Sequence, residues 1–113
     1  MSVFDISRLD IELATILRCA GQIDAHSFHP MRSAFNQALA EKRYWLVVNM
    51  ANVDYMSSSG ISVLLAAQSE IEENKGKIVL VGLQPKVRQV LELMSVMPLF
   101  TDASDEDTAL ASF

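Results

Sequence analysis

The sequence predicts an α/β domain in which helices pack against a small mixed sheet. Short apolar segments rich in β-branched residues alternate with segments whose apolar residues recur every three or four positions. This alternation of strands and helices favours parallel pairing of the central strands. The 113 residues suit one domain, expected to span residues 1–113, since no linker or repeat interrupts them. Half of the residues are apolar and a fifth are charged, which is typical of a globular chain.

The first half of the chain is predicted to form strand, helix, strand and loop. Residues 11–20, IELATILRCA, are mostly apolar and stop at Gly21, which predicts a strand covered on both faces. Residues 26–42 carry apolar side chains at helical spacing, and Ser27 is a candidate N-cap. Residues 44–50, YWLVVNM, predict a buried central strand. The segment ANVDYM that follows is predicted to be a loop.

The second half repeats the alternation. Gly76 is expected to end a helix in the left-handed conformation that glycine favours. The apolar stripe of the next helix includes Met94, and it is predicted to face the core, with an exposed patch as the alternative. The predicted elements are a helix from Ser58 or Ser59 to Asn74, a strand over 77–83, a helix from Pro85, a short strand over 99–102 and a last helix capped by Ser104.

Composition excludes several classes of function. The net charge is −5 and Lys and Arg form no dense run, so nucleic-acid binding is not expected. The lone Cys19 excludes an internal disulfide and is predicted to be a core residue. No apolar run approaches the ~20 residues that span a bilayer, and no signal peptide is visible. We therefore expect a cytoplasmic protein without direct membrane insertion.

The sequence also predicts no metal, cofactor or catalytic group. His26 and His29 are three residues apart, but a third ligand is not evident, so they are interpreted as surface histidines. A phosphate-binding glycine-rich loop with a lysine is absent. A serine hydrolase is the enzymatic alternative, yet nothing in the sequence places a histidine–carboxylate pair beside a serine.

Three consecutive serines, Ser57 to Ser59, precede Gly60 where the second helix is predicted to begin. Capping of the helix explains one of them, either Ser57 or Ser58. Gly60 lacks side-chain bulk, which would let another backbone or a bound group approach the hydroxyls. A second interpretation is a phosphoacceptor, since phosphate adds about −1.5 to −2 charge and is tolerated at a helix N-terminus. Contact with a ligand is the third.

The order of strand, loop, Ser-Ser-Gly signature, apolar helix, strand and proline-started helix over residues 44–100, with GQIDAHS upstream, resembles the STAS-domain family of anti-sigma-factor antagonists. The resemblance implies a small sheet with helices mainly on one side. It also implies binding to an anti-sigma-factor serine kinase, which phosphorylates the first serine of the signature, and a phosphoserine phosphatase that reverses this. That serine is Ser58 here, and Ser59 and Gly60 complete the signature. Ser57 stands where the family has an aspartate.

Two carboxylates are predicted to lie near the serines. Asp24 matches an acidic position of the family and is expected either to cap the first helix or to contact a partner. Asp54 precedes the serines and is expected on the rim of the same surface. The predicted function is thus a phosphorylation-switched interaction domain that is not an enzyme. The alternative is a STAS subunit of another assembly, in transport or signalling, without a phospho-switch.

Overall fold

The computed structural model describes residues 4–113 and contains a five-stranded sheet with strand order β1-β2-β3-β4-β5. Strands β1 and β2 are antiparallel, and every later pair is parallel, so the sheet is mixed. The predicted fold class is confirmed. The elements are β1 (Phe4–Ile11), β2 (Ala14–Ile23), α1 (Phe28–Ala40), β3 (Trp45–Met56), α2 (Ser58–Glu73), β4 (Lys77–Val81), α3 (Pro85–Leu93), a 3-10 turn (Met97–Leu99), β5 (Thr101–Ala103) and α4 (Glu106–Ala111).

The two faces of the sheet carry unequal cores. Helices α1, α2 and α3 pack on one face, where they bury alternate strand residues such as Leu46 and Val48. Helix α4 covers part of the other face, where Ala109 packs against Ile16 and Val47. The central strands are therefore buried on both sides, which explains why they read as continuous apolar runs.

The sequence-based assignment missed β1. Residues 4–11 pair with residues 14–21, and Glu12 takes a left-handed conformation (φ 54°) in the tight turn between them. The strand predicted over residues 11–20 therefore begins at Ala14, and it continues to Ile23. Strand β1 alternates polar and apolar residues and is only partly buried, so it lacked the apolar run that marked the central strands.

Strand β3 is longer than predicted. The segment ANVDYM was expected to be a loop, but β3 continues through it to Met56. Parallel pairing with β2 persists to Gln22–Tyr55 and Ile23–Met56, after register shifts near Ala20 and Gln22. This extension brings the end of β2 directly beside the start of α2.

Three local predictions are wrong: two name the wrong residue for a helix end, and one predicts burial of a side chain that is exposed. Lys75 (φ 58°), not Gly76, takes the left-handed conformation after α2. The cap of α4 is Asp105, whose Oδ1 accepts a hydrogen bond from the backbone N–H of Thr108 at 2.8 Å, rather than Ser104. Met94 is 51% exposed because α3 ends at Leu93, so the stripe turns away from the core after Leu91.

A bidentate ion pair links α4 to strand β2, on the face of the sheet opposite α1, α2 and α3. Both carboxylate oxygens of Glu106 accept hydrogen bonds from Arg18 at 2.8 Å, and Asn49 donates a further one at 2.8 Å. Arg18 chiefly, with help from Asn49, lowers the pKa of Glu106 from its ordinary 4.5 to about 2. A carboxylate with a lowered pKa stabilises the folded state above its unfolded pKa, and that contribution is lost as the pH falls.

We therefore expect the free energy of unfolding to decrease as the pH is lowered from 4.5 to 2. Glu106→Gln should remove part of this pH dependence. The pair is partly exposed, so the difference should be about 1 kcal/mol. Urea denaturation at pH 6 and pH 3 measures it, with the exposed neighbour Asp107→Asn as the control. An unchanged pH dependence in Glu106→Gln would contradict the assignment.

Candidate functional site

The serine run lies at the first turn of α2, and its first member caps the helix. Ser57 has extended backbone angles (φ −93°, ψ 177°), and its hydroxyl accepts a hydrogen bond from the backbone N–H of Ser59 at 3.3 Å. Its carbonyl accepts the N–H of Ile61 at 3.2 Å. Ser57 rather than Ser58 therefore supplies the cap that the sequence left open between the two.

Ser58 is the first residue of α2 and is exposed. Its backbone carbonyl accepts a hydrogen bond from the Ser62 hydroxyl at 3.0 Å. Among the hydrogen bonds of residues 4–113, none engages the Ser58 hydroxyl itself. Because Ser57 already supplies the cap, chemical change at Ser58 leaves that cap bond in place.

Gly60 is buried beneath the serines by the ends of two strands. A Cβ at this position would lie 2.7 Å from Ile23 Cγ2 and 2.9 Å from Met56 Cγ. Both atoms lie close to their backbones in fully packed side chains, so they have little freedom to move aside. The close approach that the glycine allows is thus to neighbouring side chains, and not to another backbone or a bound group.

Asp24 organises the turn between β2 and α1. Its Oδ1 accepts hydrogen bonds from the backbone N–H groups of His26 at 2.9 Å and Ser27 at 3.1 Å. Ser27 occupies the N-cap position of α1, but its hydroxyl donates to the Gln22 carbonyl at 2.6 Å instead of accepting from the helix. Asp24 therefore secures the turn that precedes the helix rather than the first turn itself.

The Asp24 turn and the serine run are joined through the backbone. The N–H of Ser57 donates to the carbonyl of Ile23 at 2.8 Å, and Ile23 pairs with Met56. This contact places the turn that holds Asp24 beside the start of α2. The structure thus brings together Asp24, Gly60 and the three serines predicted from the sequence.

Asp54 lies in β3 and not in a loop. It is exposed and lines a shallow pocket of about 330 Å³ with Gln22, Tyr55 and Lys86. This pocket does not include the serines, although Asp54 is only three residues before Ser57. Asp54 therefore borders the site instead of forming its centre.

A groove between α1 and α2 adjoins the serines and was not predicted from the sequence. This α1–α2 groove has a volume of about 410 Å³ and is lined by Phe28, Arg32, Ser59 and Ser62, among others. The Arg32 guanidinium lies over the Phe28 ring, 5.2 Å from its centroid, which is cation–π distance. The spacing of Phe28 and Arg32, four residues apart on one helix, was the signal available in the sequence.

The other candidate reactive groups are one cysteine and two histidines. Cys19 is 3% exposed, and burial raises its pKa to about 12, as expected for a core thiol. His26 and His29 are both exposed. Within residues 4–113, no three His, Cys, Asp or Glu side chains gather as metal ligands would. None of the helices over the same range combines the length and apolar character needed to cross a bilayer.

One known protein family matches most of the length of the chain. The family model of the STAS domain matches residues 6–109. The chain belongs to the STAS domain family. The family assignment made from the Ser-Ser-Gly signature and its flanking elements is therefore confirmed.

Individual relatives of this STAS domain are distant in sequence. It is 32% identical over 68 residues to the candidate anti-sigma factor antagonist BtrV of Bordetella bronchiseptica, a match that covers 60% of this chain and 59% of BtrV. The chain therefore spans less than two thirds of that relative. It is 25% identical over 92 residues to the anti-sigma F factor antagonist of Lysinibacillus sphaericus, covering 80% of this chain and 79% of that protein.

Solved structures share the STAS fold. An anti-sigma factor antagonist from Mycobacterium paratuberculosis has a TM-score of 0.88 at 20% identity, over 97% of this chain and 93% of the other. Unphosphorylated SpoIIAA has a TM-score of 0.81 at 23% identity, over 97% and 95%. The phosphorylated form of SpoIIAA from Bacillus has a TM-score of 0.74 at 21% identity, over 98% and 100%.

Proposed function

We propose that this STAS domain is an anti-sigma-factor antagonist controlled by phosphorylation of Ser58. In its unphosphorylated form it binds an anti-sigma-factor serine kinase, and the phosphorylated form is released until a phosphoserine phosphatase restores the hydroxyl. The domain is an interaction module and not an enzyme. This role requires a cytoplasmic location, because sigma factors act there.

The position of Ser58 carries the proposal. It is an exposed hydroxyl at the start of a 16-residue helix whose cap is supplied by its neighbour Ser57. Phosphate at this position meets the positive end of the helix dipole, an interaction worth about 0.3–1 kcal/mol at an exposed site. The modified domain should therefore remain folded, while any protein docked over the same turn meets an added dianion.

The comparisons support this proposal at a coarser level. Curated relatives in Lysinibacillus sphaericus and Paenibacillus polymyxa are both named anti-sigma F factor antagonists. SpoIIAA, which shares the fold, has been solved in phosphorylated and unphosphorylated forms. A phosphate on a STAS domain is therefore compatible with this fold.

The docking surface that we propose is the region around the first turn of α2. Ser57, Ser59 and Gly60 shape the turn, and Asp24 lies beside it through the hydrogen bond from Ser57 to Ile23. Asp54 contributes to the rim next to Lys86. Ser57 replaces the aspartate of the family signature and is uncharged, so a carboxylate at this position does not repel the incoming phosphate.

Incubation with the cognate kinase and ATP tests the phosphoacceptor. Mass spectrometry should find one phosphate, located on Ser58, and Ser58→Ala should remain unmodified. Ser59→Ala is the matched control, since it removes the adjacent hydroxyl without removing the acceptor, and it should still be phosphorylated. Stoichiometric phosphate on Ser58→Ala would contradict the assignment of Ser58 as the phosphoacceptor. Equal affinity of the bare and phosphorylated forms for the kinase would favour the STAS subunit without a switch.

A further inference from the structure

The outer edge of β1 is one of the two open edges of the sheet. Strand β1 is first in the strand order, so within residues 4–113 its outer edge has no neighbouring strand. It is eight residues long and contains no proline. Its unpaired backbone groups form a template on which another strand can pair.

Exposed apolar side chains lie next to this edge on the face opposite α1. Leu9 is 43% exposed and Ile11 is 40% exposed, and Leu13 in the turn that follows is 76% exposed. Leu9 is directly opposite Ile16, which belongs to the core on the α4 side of the sheet. A strand added to the edge would therefore extend an apolar surface that β1 leaves partly open to water.

We propose that β1 pairs in antiparallel orientation with β1 of a second copy of the chain, in a register centred on Leu9. The pairing joins two five-stranded sheets into one continuous sheet. The proposal concerns a surface separate from the serine turn and does not depend on the function proposed above.

Backbone geometry limits the possible registers. In a strand, alternate residues direct their N–H and C=O groups to the same edge, so a two-fold pair must match residues of the same alternation. The centre of the pair is therefore one residue facing its own copy. The candidates are the four central residues of β1, which are Ile6, Ser7, Arg8 and Leu9.

Charge then selects one register. A pair centred on Arg8 places like charges directly opposite each other, which is destabilising. A pair centred on Ser7 places charged Arg8 opposite apolar Ile6, and a pair centred on Ile6 places it opposite apolar Phe4. The pair centred on Leu9 places Arg8 of each copy opposite Asp10 of the other, which makes two cross-strand pairs of opposite charge.

Existing contacts hold these charges in position for such a pair. The Arg8 guanidinium bonds Asp10 at 2.9 Å and Glu41 at 2.9 Å, and the three side chains lie on the α1 side of the sheet. Asp10 keeps 43% of its side chain exposed, so it is accessible to a second arginine. On the opposite face, Leu9 of one copy would contact Leu9 of the other and exclude water from both.

The paired edge leaves the serine turn open. Leu9 aligns with Ile16 of β2 and through it with Val47 near the start of β3, whereas Ser58 follows the end of β3. A two-fold axis at Leu9 therefore directs the two serine turns away from each other. Both copies in the dimer remain able to bind a partner at Ser58.

Disulfide trapping tests the register. With Leu9 at the centre, Leu9→Cys places two thiols on directly opposite residues, whose Cα atoms are about 4.5–5.5 Å apart, within disulfide range. Ser7→Cys lies four residues from its own copy, roughly 13 Å along the strand, and Ile11→Cys likewise. We expect Leu9→Cys to cross-link to itself, and Ser7→Cys to cross-link to Ile11→Cys only when the two are mixed. Self-cross-linking of Ser7→Cys, or failure of Leu9→Cys to cross-link, overturns the register.

Sedimentation tests the association itself. The unmodified chain should show a concentration-dependent dimer at concentrations up to about 1 mM, a range that detects millimolar dissociation constants. Leu9→Lys would place two ammonium groups directly opposite each other at the two-fold axis, so this variant should be monomeric over the same concentration range. Thr101→Lys adds the same charge to β5, at the other edge of the sheet, and should dimerise like the unmodified chain. Circular dichroism verifies that both variants are folded. A monomeric unmodified chain, or a dimer that survives in Leu9→Lys, refutes the proposal.

Discussion

Gly76→Ala is expected to lower the free energy of unfolding by about 3 kcal/mol. The new Cβ would lie 2.0 Å from the backbone oxygen of Tyr44 and 2.6 Å from the Tyr44 Cβ. The same oxygen accepts a hydrogen bond from the N–H of Lys77 at 2.9 Å, where β4 begins. Relief of the overlap therefore requires either strand β3 or strand β4 to shift. Urea denaturation followed by circular dichroism measures the change.

The neighbouring residue supplies a control of opposite sign. Lys75 takes the left-handed conformation (φ 58°), which is strained for a residue with a Cβ. Lys75→Gly should therefore raise the free energy of unfolding by about 0.5–1 kcal/mol, after the greater flexibility of glycine in the unfolded chain is counted. If Lys75→Gly destabilises the domain while Gly76→Ala leaves it unchanged, the roles assigned to the two residues are reversed.

These two residues show where sequence reasoning stops. A glycine after an apolar helix correctly indicated that the helix ends, because few other residues are so common there. The reason for this glycine is a contact with Tyr44, which lies at the far side of a helix in sequence. Contacts of that kind arise from the pairing of β3 with β4, and they leave no local pattern.

The alternation of strands and helices could be predicted from the sequence for a physical reason. Strands β3 and β4 are buried on both faces, so their composition is apolar throughout and unlike that of the helices between them. Strand β1 is an edge strand with charged residues, and its pattern was too weak to identify it without the partner strand β2. The end of β3 was missed because its exposed polar residues resemble those of a loop.

The grouping of the candidate site residues could be predicted in part. The serine run, Gly60 and Asp24 were identified from the sequence, and the structure places them around one backbone contact between Ser57 and Ile23. Which serine caps the helix could not be read from the sequence, since that depends on where the backbone turns from extended to helical. Arg32 and Phe28 were missed because their groove exists only when α1 packs beside α2.

Ser58→Glu is expected to weaken binding to the partner that we propose, an anti-sigma-factor serine kinase, by about 100-fold, which corresponds to about 2.7 kcal/mol. The docked partner would enclose the carboxylate without placing a cationic side chain beside it. An unpaired charge buried at an interface carries a penalty of several kcal/mol. Folding should be almost unaffected, because Ser58 is exposed, the cap bond belongs to Ser57 and a negative charge is favourable at the first turn of a helix. Titration calorimetry measures the affinity, and urea denaturation measures the stability.

Ser69→Glu separates the effect of position from that of charge. Ser69 is also exposed on α2, but it lies about 16 Å along the helix axis from Ser58. Because the two variants carry the same net charge, a long-range electrostatic effect would weaken binding in both, and it would diminish as salt is added. An effect of direct enclosure should occur in Ser58→Glu alone and persist at high salt. If both variants lose affinity equally, the first turn of α2 is not where the partner docks, and the phosphate of the proposed switch would have to act at a distance.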